Sequence, residues 1–117
     1  MARVLVIDDD LVIAELIRAT LAEAGHEPLA GPAESHPQLD VIVTDLVVTE
    51  GYDGAAARSS IARLRSRFPG IPILVCTAHL DASHEPDRLG ADAVIAKPFD
   101  LDDLVRTVEA LVRDRGR

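Results

Sequence analysis

Four short apolar runs, each ending abruptly at a charged or hydroxyl side chain, constrain the fold of this chain more than any other feature. Val4-Leu5-Val6-Ile7 stops at Asp8-Asp9-Asp10, and Val41-Ile42-Val43-Thr44 stops at Asp45. Ile73-Leu74-Val75-Cys76 stops at Thr77, and Ala93-Val94-Ile95-Ala96 stops at Lys97. Runs this short do not make helices. Their apolarity without alternation marks strands buried on both faces, as in a parallel sheet. Longer stretches with helical spacing separate them, which predicts alternating strands and helices. In an open sheet of this kind ligands bind in the crevice beyond the carboxyl ends of the strands. Asp8, Asp9, Asp45, Thr77 and Lys97 are therefore expected to converge, although they are far apart in sequence.

The spacing predicts a strand over 3–7 and a helix over 11–24 that faces inward with Ile13, Leu16, Ile17, Thr20, Leu21 and Ala24. Gly25 stands where a C-cap residue belongs. A short strand over 27–30 follows, then a proline-rich loop over 31–38 with at most one helical turn. Further strands are expected over 40–44, 71–76 and 93–96. A helix over 55–67 points Ile61, Leu64 and Phe68 inward and stops at Phe68-Pro69-Gly70. Pro86 limits any helix between His79 and Leu89 to a short one. The last helix begins after Asp100, a plausible N-cap, with Asp103 favouring its positive end. Its stripe is Leu101, Leu104, Val105, Val108, Leu111 and Val112. The count is five strands alternating with helices, a doubly wound α/β sheet.

At 117 residues the chain makes one domain, 1–117, with no internal repeat or linker and no output domain expected after the final helix. Aromatic residues are only 3% of it, so the core must be aliphatic. Twenty acidic against 12 basic residues give a net charge of −8, which argues against a nucleic-acid or anionic-membrane surface. The first apolar run is too short for a signal peptide, and no run reaches membrane-spanning length. Together these predict a soluble, cytoplasmic protein. Cys76 lies inside an apolar run and is expected to be a buried packing residue. His26, His36, His79 and His84 lack metal-ligand spacing and are expected in solvated loops, with His79 near Thr77; Tyr52 and Phe99 are expected to pack.

Carboxylates crowded at one edge repel one another, and a divalent cation relieves the repulsion. All-oxygen ligation suits Mg²⁺, with Mn²⁺ as a substitute. Asp45 is then positioned as a nucleophile towards phosphorus, forming an aspartyl phosphate. Lys97 would neutralise charge on the transferring group, and Thr77 would donate a hydrogen bond to one of its oxygens.

Val-Ile-Asp-Asp-Asp (6–10), Val-Thr-Asp-Leu (43–46), Cys-Thr-Ala (76–78), Gly-Ala-Asp (90–92) and Ala-Lys-Pro-Phe (96–99), in this order, resemble the receiver domain of bacterial response regulators. The resemblance runs from end to end. It implies the flavodoxin-like strand order 2-1-3-4-5, magnesium, and phosphorylation by a histidine kinase or histidine phosphotransfer protein. By position it makes Asp45 the phosphoacceptor, Thr77 the switch hydroxyl and Lys97 the phosphate-pairing lysine. Asp8 and Asp9 become metal ligands, Asp9 the more direct, with Asp45 and the main-chain carbonyl of Val47. The Lys97-Pro98 bond resembles one that is cis in the family. No enzyme activity beyond self-dephosphorylation is implied.

The chain departs from the family pattern in four places. The segment between Gly25 and Asp45 is short by roughly a helix, so the second family helix is expected to be reduced or absent, which would uncover a sheet face to a homodimer or partner. Val48-Thr49-Glu50-Gly51 replaces the usual Met-Pro, the fourth helix is short, and Val94 stands where the family commonly has Tyr or Phe. Two other functions compete with a stand-alone phosphoacceptor. One is a pseudo-receiver that binds partners without phosphorylation. The other is a phosphohydrolase, because Asp8-x-Asp10 also resembles the opening motif of haloacid-dehalogenase-type enzymes. Those need a later acidic pair, where this chain has Ala78-His79 and Pro98-Phe99.

Overall fold

β-branched residues crowd the apolar runs, and such side chains pack well on a pleated surface buried on both sides. A computed structural model of the chain describes residues 2–8, 10–30, 38–45, 54–77, 91–96 and 100–115. The elements in order are β1 (Arg3–Ile7), α1 (Leu11–Glu23), β2 (Glu27–Leu29), β3 (Val41–Asp45), α2 (Gly54–Arg67), β4 (Ile73–Thr77), β5 (Ala93–Ala96) and α3 (Leu101–Arg115). All strand pairs are parallel, and the five-stranded sheet has the order β2-β1-β3-β4-β5. This is the doubly wound order expected.

Successive residues of each strand serve opposite faces. Val4, Val6, Val41, Val43, Leu74 and Cys76 form one core with Ala14, Ile17 and Leu21 of α1 and Leu104 and Val108 of α3. Leu5, Ile42, Ile73 and Val75 form the other with Ile61 of α2, against which Leu64, Phe68 and Val94 are partly buried. The inward stripes of α2 and α3 and the burial of Cys76 are as the sequence predicts. No helix among the described residues is long and apolar enough to cross a membrane.

The stripe on α1 differs from expectation. Leu16 is 48% exposed and Ala24 is also exposed, while Ala14, outside the predicted stripe, is buried. The helix seats on the line Ala14-Ile17-Leu21, where the small Ala14 lets it come close to the sheet. Leu11 (77% exposed) and Val12 (76%) face solvent at the carboxyl edge of the sheet.

Helix ends follow local chemistry. Asp10 caps α1, its side chain accepting from the backbone N–H of Val12 (3.0 Å) and Ile13 (3.2 Å). Asp10→Ala is expected to cost about 1 kcal/mol, because orphan helix donors lose their acceptor; urea denaturation measures it. At the other end, Gly25 has φ of 91°, and its N–H donates to the Ala22 carbonyl while that of His26 donates to Leu21. This left-handed closure is the Schellman arrangement that glycine permits. Asp100 caps α3 by accepting from the Asp102 N–H at 2.8 Å, and Asp103 pairs with Arg106.

β3 and β4 each end one residue later than predicted and begin later too. Pro72 cannot donate to a ladder, so β4 starts beyond it, although its carbonyl still accepts from the Ile42 N–H at 2.9 Å. Asp45 and Thr77 are thus the last residues of their strands, not the first beyond them. Between β2 and β3 the described residues 30 and 38–40 form no helix. The predicted loop at 31–37, the short fourth helix and the Lys97-Pro98 bond lie outside the described residues.

Candidate functional site

Parallel pairing decides which residues meet at the carboxyl edge. Ile7 is in register with Thr44, Asp45 with Cys76, and Thr77 with Ala96. Asp8, one residue past Ile7, is therefore level with Asp45 on the adjacent strand. Thr77 is one step beyond the residue that pairs with Asp45, on the next strand. Neighbouring strands lie about 4.8 Å apart, so β1, β3 and β4 bring these three backbone positions within two strand spacings, about 10 Å. Lys97 directly follows Ala96, the rung opposite Thr77. Lys97, Asp9 and Val47 themselves fall outside the described residues, as do His36, His79, His84, Tyr52 and Phe99.

The side chain of Asp8 is half-buried, and its Oδ1 accepts the Asp10 N–H at 2.9 Å. The residue at the edge is thereby joined by one hydrogen bond to the cap of α1. The second carboxylate of the Asp8-x-Asp10 motif is engaged in that cap, which argues against its use in a phosphohydrolase.

Among the described residues, no group of three or more His, Cys, Asp or Glu is arranged to hold a metal ion. Asp8 and Asp45 nonetheless sit at the ends of adjacent strands. One or two carboxylates, with water and a phosphate oxygen, is the donor set Mg²⁺ takes, so the residues present fit that ion.

Sequence reasoning missed three polar residues that hold the frame. Asp92 Oδ2 accepts from the Ile73 N–H and from Arg65, both at 2.8 Å, tying β4, the start of β5 and α2 together. Asp40 Oδ2 accepts from the Arg3 N–H at 2.8 Å. His26, expected in solvent, is instead largely buried between β1 and α3. An Asp just before an apolar run signals such a role at 40 and 92, whereas nothing local marks His26.

These features define an open α/β domain in which Asp8, Asp45 and Thr77 stand at the carboxyl ends of adjacent strands. Comparison with known proteins narrows the class. The family model described as the response regulator receiver domain matches residues 4–109. A response regulator receiver protein of Anaeromyxobacter sp. is 38% identical, over 84% of this chain and 36% of its own length. The DNA-binding transcriptional regulator NtrC of Salmonella typhimurium is 34% identical, over 92% of this chain and 24% of its own. This chain thus spans between about a quarter and a half of the length of such curated relatives. The Francisella response regulator 1452 receiver domain superposes with a TM-score of 0.77 at 24% identity, covering 97% of this chain and 98% of that one. The NtrC4 receiver domain, solved as a beryllofluoride-activated dimer, gives 0.77 at 25% identity, covering 98% and 99%. The chain belongs to the response regulator receiver domain family, the signalling domain of two-component systems.

Proposed function

We propose that this domain accepts a phosphoryl group on Asp45 from a histidine kinase or histidine phosphotransfer protein, with Mg²⁺ bound. The observation that carries the reading is the ladder register, in which Asp8, Asp45 and Thr77 close three adjacent strands at one edge. A carboxylate oxygen of Asp45 attacks phosphorus as the P–N bond to the donor histidine breaks, and the imidazole leaves with the bonding pair and takes up a proton. Thr77 donates a hydrogen bond to a phosphoryl oxygen, and Lys97 pairs with the developing charge. Asp8, Asp9, Asp45 and the Val47 carbonyl would hold the Mg²⁺, which when bound neutralises charge shared between the carboxylates and the phosphoryl oxygens.

A homodimer through the part of the sheet face that a reduced second family helix would leave uncovered belongs to the same proposal. The dimer formed by the NtrC4 receiver domain supports it.

Incubation with acetyl phosphate and Mg²⁺, followed by intact-mass analysis, is expected to show one added phosphoryl group that excess chelator prevents. No adduct on the native protein would favour the pseudo-receiver, a binding module that acts unphosphorylated.

A further inference from the structure

His26 lies away from the carboxyl edge and has no part in the proposed phosphoryl chemistry. Its side chain is only 10% exposed. Nδ1 lies 3.1 Å from the Ala2 backbone N, and Nε2 lies 3.1 Å from Glu109 Oε2 on α3. A backbone N–H can only donate, so Nδ1 must be the bare, accepting nitrogen. Nε2 then carries the proton and donates it to Glu109.

We propose that His26 is a proton-operated latch that closes the amino end of β1 against β2 and α3 when neutral and frees β1 when protonated. A proton added at Nδ1 would point at the Ala2 N–H, two donors facing each other, while the imidazolium binds Glu109 more strongly through a charge-assisted bond. The ring therefore stays with α3 and lets go of β1. Ala2 is 2% exposed, so its N–H is left without an acceptor in a dry site. The loss reaches β2, because the Ala2 carbonyl accepts the Glu27 N–H at 2.8 Å.

Other charges on these elements reinforce the arrangement. Arg3 Nε and Glu27 are 3.2 Å apart, but the nitrogen makes no aligned hydrogen bond, so this pair joins β1 to β2 through charge alone. On α3, Arg106 is committed to Asp103, and Arg113 lies one turn beyond Glu109. Glu23 closes α1 ahead of the turn that carries His26. Glu109 is the carboxylate that the ring contacts.

Nuclear magnetic resonance of the whole chain tests the latch. At about pH 8 the ring nitrogens should report the Nε2–H tautomer. When the pH is lowered from about 8 to about 5, amide protection at Ala2 and Glu27 should fall about tenfold relative to Ile42, as expected when a buried donor loses its acceptor. Glutamine can accept and donate in a similar way without titrating, so His26→Gln should hold that ratio constant. An Nδ1–H tautomer at pH 8, or a wild-type ratio that does not change with pH, would overturn the proposal even if the variant fails to fold. The same fall in a folded His26→Gln would overturn it as well.

Discussion

Asp45→Asn is expected to take up no phosphoryl group from acetyl phosphate and Mg²⁺, while its far-ultraviolet circular dichroism matches the native chain. An amide nitrogen or oxygen is a far weaker nucleophile than a carboxylate, so the loss should be complete within detection. The fold should survive, because Asp45 is the last residue of β3, at the carboxyl edge of the sheet, and asparagine keeps the size and shape of the aspartate side chain. Intact mass gives the answer, and an undiminished adduct in the variant would move the acceptor to another residue.

Leu104→Ala is expected to destabilise the domain by about 2–5 kcal/mol, the range for removing a buried leucine and leaving a cavity. Leu104 has no exposed surface and joins α3 to the core shared with α1 and the strands. The loss would be a large part of the roughly 5–15 kcal/mol that holds a typical domain together. Leu11→Ala is the control: the same atoms are removed from a residue that is 77% exposed, and a change within about 0.5 kcal/mol is expected. Urea midpoints at unchanged slope measure both. Equal losses in the two variants would contradict the placement of α1 and α3.

The sheet was legible because β1, β3 and β4 are buried on both faces and so appear as unbroken apolar runs. Strand ends were less so, since the ladder continues through a polar residue while its backbone groups find partners, as at Asp45 and Thr77. The seat of α1 was misjudged because Leu16 is apolar and correctly spaced. What decides the seat is how close the backbone can approach, and Ala14 sets that. His26 could not be read at all: its partners are 24 and 83 residues away in sequence, and neither leaves a local pattern. That Asp8, Asp45 and Thr77 stand at the same edge of neighbouring strands follows from topology alone, because parallel strands present their carboxyl ends together.

An aliphatic interior has a practical consequence. The chain has no tryptophan and a single tyrosine, so its native state is almost dark to ultraviolet emission. Intrinsic fluorescence, the customary monitor for magnesium titrations and folding kinetics, has little to report. A tryptophan placed at the solvent-facing Val12, beside the edge where Asp8 sits, would add a reporter there without displacing any packed atom.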